Sequence, residues 1–300
     1  MSKLITLSEA ISGYVSDGDT VYAAGFTHLI PFAAGHEIIR QKKRGLVLAR
    51  ATPDLIYDQM VAAGCAAKVM FSYMGNPGVG SLRIVRTAIE QGRLEWEEYS
   101  HFGMITRLQA GSSGLPFLPM NQTAVSDLEK ANPNIKRVVD PYGGQDVIVV
   151  PALNPDVAIV HVQRADLNGN AHLWGIIGEQ KEAAFAAKKV ILTTEEIVDE
   201  AVIRSDPNRT LIPEIVVDAV CLVPYACHPS YAQGYYDRDN EFYLQWDKIS
   251  ESPESTRNWL DVWVFGVTDR NEYWQKLGVD THRRLSVKAR YSEQINYGVY

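Results

Sequence analysis

Short apolar blocks of two alternating periods run through most of the chain. Ser8 to Val15 has helical spacing and ends in Ser16-Asp17-Gly18-Asp19, a turn that launches Thr20-Val21-Tyr22-Ala23-Ala24 as a buried strand, which Gly25 stops. Pro31 to Arg40 repeats apolar residues at helical spacing, Leu46-Val47-Leu48-Ala49 reads as a strand, Leu55 to Ala63 as a helix, and Val69 to Tyr73 as a strand again. The rhythm continues with a helix over Leu82 to Gln91, a strand over Leu94 to Tyr99, a helix near Gly103 to Ala110, and strands near Val138, Val147 to Val150 and Val157 to Val162. A helix at Lys181 to Ala187 feeds the strand Lys189 to Thr194, and Ala219 to Val223 is the last strand before Pro224. Strands alternating with helices predict an α/β protein: an open, mostly parallel sheet with helices on both faces.

From Tyr225 the texture changes. Tyr231, Tyr235, Tyr236, Phe242, Tyr243 and Trp246 crowd together, and Trp259, Trp263 and Trp274 follow. Residues 1–224 are therefore expected to form the α/β domain, with 225–300 a helical and irregular C-terminal extension packed on that domain or on a partner. The region 225–246 is expected to offer more apolar surface than a monomer leaves exposed. No repeat at a fixed period is visible.

Composition narrows the functional classes. The 300 residues carry a formal net charge of -7 and no run of about five Lys or Arg, which speaks against a nucleic-acid partner. No window reaches the roughly 18 to 20 uninterrupted apolar residues of a membrane span, and the amino terminus lacks the form of a secretory signal. Cys65, Cys221 and Cys227 are odd in number and scattered, without a zinc-ligand spacing, so a reducing cytoplasmic setting is expected and no metal is implied.

Several loops follow strands where open α/β sheets place ligands. Gly25-Phe26-Thr27-His28 lies between a strand and a helix, so backbone N–H groups there can meet an anion, although any strand-to-helix turn also takes Gly. Gly75-Asn76-Pro77-Gly78-Val79-Gly80-Ser81 is a second such loop and is no Walker loop, since no Gly-Lys-Ser/Thr follows. Glu97-Glu98-Tyr99-Ser100-His101 offers His101 as a base, with a structural histidine as the plain alternative. Asp166 to Asn170 has turn chemistry, and Glu195-Glu196 is expected to cap a helix and occupy its first turn. Cys227-His228 invites a nucleophile and base, but neighbours in sequence rarely face each other productively.

Taken together these segments resemble the alpha subunit of class I CoA-transferases, most closely the glutaconate CoA-transferase branch. The resemblance rests on Leu7 to Gly18, Gly25-Phe26-Thr27, Pro31 to Gln41, Glu90-Gln91-Gly92, Glu98-Tyr99-Ser100, Gly114 to Pro119, Thr194-Glu195-Glu196-Ile197, and Pro224-Tyr225 through His228-Pro229-Ser230 to Tyr236-Asp237, all in order. It implies a NagB/RpiA-like fold, a coenzyme A thioester as substrate without a tightly bound cofactor, and a beta-type partner in a hetero-oligomer. It also implies a glutamate nucleophile on that partner, passing through an acyl anhydride and an enzyme–CoA thioester. The E-x-G letters of Glu90-Gln91-Gly92 match an alpha-subunit feature, so this chain brings no beta-type half. The substrate-contacting residues implied are Gly25, Phe26, Thr27, Asn76, Gly78, Tyr99 and Ser100, with His101 the catalytic candidate.

Two departures matter. Asn76-Pro77-Gly78 stands where the glutaconate enzymes carry Asn-Ser-Gly, which removes a hydroxyl near the substrate carboxylate and counts against glutaconate itself. His101 resembles the place where steroid-ring-opening hydrolases of this fold put a working glutamate. Hydrolysis or decarboxylation of a CoA thioester is therefore the alternative to transfer, and a non-catalytic metabolite sensor the third reading.

Overall fold

The computed structural model describes residues 2–75, 80–120 and 126–287. Twelve strands are present among them: β1 (Thr20–Ala23), β2 (Leu46–Ala49), β3 (Ala66–Phe71), β4 (Glu95–Glu98), β5 (Phe117–Pro119), β6 (Lys136–Val139), β7 (Asp146–Pro151), β8 (Val157–Ala165), β9 (Ala171–His172), β10 (Lys189–Ile197), β11 (Thr210–Ile212) and β12 (Ala219–Leu222).

Seven of them pair in parallel in the spatial order β12, β10, β8, β1, β2, β3, β4. The chain builds outward from β1 to β4 on one side and then from β8 to β12 on the other, so the order reverses between β1 and β8. Such a switch leaves a crevice at the carboxyl ends of the two strands. Beyond the end of β1, the long β8 turns back antiparallel into β9, which pairs with β11.

Alternation along β1 explains the two layers. Val21 and Ala23 enter a core shared with the helices Leu7–Tyr14, Phe32–Arg40, Leu55–Ala62 and Arg83–Glu90. Tyr22 and Ala24 enter the opposite core, with the helices His101–Ser112 and Gln180–Ala186. Helix starts follow local chemistry. Thr6 and Glu9 form a reciprocal capping box, Asp54 caps Leu55–Ala62, and Ser100 accepts from the Gly103 N–H.

Three expectations need correction. The strands near Val138 and Val147 do not extend the parallel sheet: β5, β7 and β6 form a separate antiparallel sheet, packed over the second core through Ile148 and Val150. Only the short segment Asp140 to Gln145 joins β6 to β7, which suits an antiparallel return and leaves no crossover helix. Glu195 and Glu196 do not cap a helix, because β10 continues through them to Ile197, in register with β8 up to Ala165. Nor is the aromatic region 225–246 spare surface: Tyr231, Tyr236, Phe242, Tyr243 and Trp246 are buried within this chain.

The segment after β12 forms the helices Asn240–Ile249, Pro253–Leu260, Arg270–Leu277 and Val279–Leu285, with Pro253–Leu260 packed on the helix Leu55–Ala62. Trp246 is fully buried in the first core, stands edge-on to Trp259 and donates its indole N–H to Asp58 Oδ2 at 3.1 Å. Among the described residues no helix is long and apolar enough to cross a membrane. Trp246→Ala should cost about 3 to 5 kcal/mol, the usual range for an aromatic core truncation. Denaturant unfolding measures this, and a loss below about 1 kcal/mol would show that the C-terminal helices are not part of the cooperative core.

Candidate active site

The carboxyl ends of β1 to β4 bring four segments to one edge, two of them, at Gly25 and at Ser100-His101, expected from the sequence. Gly25 ends β1, Ala51-Thr52 follows β2, Ser72 follows β3, and Ser100-His101 follows β4. His101 is exposed, with Nδ1 3.2 Å from Ser72 Oγ and 3.4 Å from Thr52 Oγ1. Ser72 gives its one proton to the Ala51 carbonyl, so its oxygen accepts from His101, which places that proton on Nδ1. In the neutral ring that tautomer leaves Nε2 as the acceptor nitrogen, where it can act as a base. The Phe26 ring stands edge-on to this imidazole at 5.6 Å.

The loop from Gly25 to Leu29 is held by strain-tolerant geometry and by distant segments. Gly25 has φ +129°, and Thr27 and Leu29 both have φ +54°. A Cβ on Gly25 would meet the carbonyl oxygens of His28 and Leu29 at 2.8 Å. Gly25→Val would therefore distort the loop itself as well as crowd a ligand approaching it. Ser230 Oγ donates to the Thr27 carbonyl at 2.7 Å, and the Leu29 N–H to the Tyr231 carbonyl at 3.0 Å. His28 is fully buried: Nδ1 donates to the Ile176 carbonyl and Nε2 accepts from the Gln233 N–H, both at 3.0 Å.

Other expected contacts lie elsewhere. Tyr99 is turned into the core, where its hydroxyl donates to Glu97 and the Arg107 guanidinium lies 4.3 Å over its ring. Ser100 spends its oxygen on the Gly103 N–H. Asn76 and Gly78 lie outside the described residues. Asp166 makes the turn that its sequence suggests, its Oδ1 accepting from the N–H groups of Asn168, Gly169 and Asn170.

A polar network that sequence reading missed lies at the ends of β8 and β10. Glu195 Oε1 accepts from Tyr236 at 2.7 Å and lies 2.9 Å from His161 Nε2, while Oε2 accepts from the Tyr225 N–H at 2.7 Å. His161 Nδ1 is 2.9 Å from Thr193 Oγ1, and the Cys227 N–H donates to Tyr236 at 3.0 Å. Donor atoms of His161, Glu195 and Cys227 lie within 4.8 Å of one another, a spacing a metal could use. His161 and Glu195 are already satisfied by each other and by hydroxyl and backbone partners, so the geometry is that of a tie between sheet and C-terminal segment. Burial pushes the Cys227 thiol well up, with Glu195 adding to the effect, and His228 faces Asp239 and Tyr273. The two neighbours do not form a nucleophile–base pair. Arg50 was missed as well, and its signal was a single cation between Ala49 and Ala51 at the end of an apolar strand.

Comparison with known proteins places this architecture. The Coenzyme A transferase family profile matches residues 4–222. The chain is 50% identical over 280 residues to the A subunit of 3-oxoadipate CoA-transferase from Pseudomonas knackmussii, covering 92% of this chain and 99% of that one. It is 36% identical over 305 residues to the A subunit of glutaconate CoA-transferase from Acidaminococcus fermentans, covering 96% and 95%. The crystal structure of that organism's glutaconate coenzyme A-transferase superposes with a TM-score of 0.90 over 96% of each chain. The chain belongs to the coenzyme A transferase family and is built as one of its A subunits.

His28 yields a pH prediction. Burial lowers its imidazole from 6.5 to about 4, against the bond to the Ile176 carbonyl and with the nearby His161 assisting. The unfolded chain takes up this proton near pH 6.5 and the folded one only near 4, so the contribution to stability is present above 6.5 and lost as pH falls toward 4. Between those limits wild type should lose about 3 kcal/mol more unfolding free energy than His28→Gln. Urea titrations of both proteins at several pH values measure the difference, and parallel curves would refute it.

Proposed function

We propose that this chain is the A subunit of an enzyme that transfers CoA between an acyl-CoA thioester and a short dicarboxylic acid, with a B subunit supplying a glutamate nucleophile. The near end-to-end similarity to the A subunit of a 3-oxoadipate CoA-transferase carries this reading. Both named CoA-transferase relatives act, by name, on a dicarboxylic acid. The Gly25–His28 loop, the Thr52 and Ser72 hydroxyls and His101 would line this chain's side of the pocket, with Phe26 and Thr27 against the acyl-CoA. Asn76 and Gly78 would flank it, and Ser100 and Tyr99 would support His101 from behind.

In this scheme the partner carboxylate attacks the thioester carbonyl and expels CoA thiolate, leaving an acyl anhydride. The thiolate then attacks the glutamyl carbonyl of the anhydride, releasing the acid and forming an enzyme–CoA thioester that the acceptor acid reverses. No water is activated, so His101 positions substrate. In a hydrolase, by contrast, His101 Nε2 would be the base.

Two measurements on the co-expressed A and B subunits separate these readings. Incubation with acyl-CoA should leave a partner glutamate trappable by borohydride or hydroxylamine, and His101→Ala should lower kcat by less than about tenfold. A loss of about 10²- to 10⁴-fold, the range for removing a general base, with no trapped intermediate, would replace transfer by hydrolysis.

A further inference from the structure

Arg50 stands at the carboxyl end of β2, two residues before Thr52, yet only 1% of it is exposed. Its Nη2 donates to the Gly25 carbonyl, from the side of the loop away from solvent. Its Nε and Nη1 find no hydrogen-bond partner among the described residues, and none of their carboxylates lies within 4.0 Å of it. Two further buried polar atoms around the same loop are also unspent, Thr27 Oγ1 and Glu179 Oε2. Glu179 is itself buried and turns its other oxygen to the Tyr22 hydroxyl at 3.0 Å.

A guanidinium cannot shed its proton to escape burial, so an interior arginine without an ion pair is a standing cost to the folded chain. A charge placed thus is useful when an opposite charge arrives, because little solvent lies between them to screen it. We propose that Arg50 is a positioning residue for CoA transfer: it fixes the Gly25–His28 loop from beneath and gives the crevice a positive potential that the substrate carboxylate, and the oxyanion formed at the thioester carbon, come to match. This rests on the transferase reading above.

The test uses the assembled A and B subunits with Arg50→Met, which keeps the volume without the charge, and Arg50→Lys, which keeps the charge without the fork. Arg50→Met should lower kcat by about 10²-fold, the low end for losing electrostatic support of an oxyanion, and Arg50→Lys should recover at least about tenfold of that. Adipate, a charged non-thioester probe, should bind Arg50→Met about tenfold more weakly by calorimetry, while the neutral adipamide binds both proteins alike. The melting temperature of Arg50→Met should stay close to that of wild type, since removing an unpaired buried charge offsets the lost bond to the Gly25 carbonyl. The inference is overturned if kcat stays within about threefold of wild type, if both probes weaken equally, or if activity falls in step with melting temperature. A wild-type complex that binds adipate but moves no CoA would sink the transferase reading and leave the charge test standing.

Discussion

The crevice depends on hydrogen bonds that the segment from Tyr225 to Gln233 returns to the sheet. Its backbone and Ser230 hold Thr27, His28 and Leu29 in place, and its Tyr225 N–H docks on Glu195 at the end of β10. Thr27 and Leu29 occupy left-handed backbone conformations that non-glycine residues adopt only when their surroundings enforce them. The loop is thus shaped by contacts more than 200 residues distant in sequence. The C-terminal region is part of the site's scaffold even though it lies outside the parallel sheet.

These bonds are strong because they are buried, and burial makes them demanding. Glu195 has both oxygens occupied, and His28 uses one ring nitrogen as donor and the other as acceptor, which fixes its neutral tautomer. A satisfied buried network costs little and specifies one arrangement, whereas removing a single partner leaves a desolvated polar atom worth about 1 to 3 kcal/mol. Arg50 departs most from this pattern, with two of its donor nitrogens unspent beside Thr27 Oγ1 and Glu179 Oε2. Violations of local satisfaction concentrate where function has a use for them.

The alternation of strand and helix was legible because β1, β2 and the second half of β3 are largely buried and read as short apolar runs between turns. The placement of His101 beyond β4 followed from the same rhythm. Glu195 was not legible: two acids after an apolar strand look like a helix start, and only the partner His161, on the neighbouring strand β8, explains a carboxylate inside the sheet. The aromatic tail misled for a related reason. Tyr231, Tyr243 and Trp246 announce burial, but periodicity does not say whether the covering surface belongs to this chain or to another. The two-residue β9 and three-residue β5 and β11 are too short to carry any period.

The unprotonated nitrogen of His101 does not by itself select a reaction. An imidazole fixed through Nδ1 to Ser72 would serve equally to activate water or to accept a hydrogen bond from an incoming acid. What separates transfer from hydrolysis is which nucleophile reaches the thioester carbon first. A carboxylate on a partner, held at contact distance, has an effective concentration far above anything a free acid attains in solution, and a crevice closed by that partner excludes the competing water. On the transfer reading, this chain's part would be to present a rigid rim: the strained Gly25–Leu29 loop, the Arg50 guanidinium beneath it and the imidazole across from Phe26. Such a rim favours whichever negative oxygen develops beside it. On that reading the same rim would suit several thioester chemistries, with the nucleophile that a partner brings deciding among them.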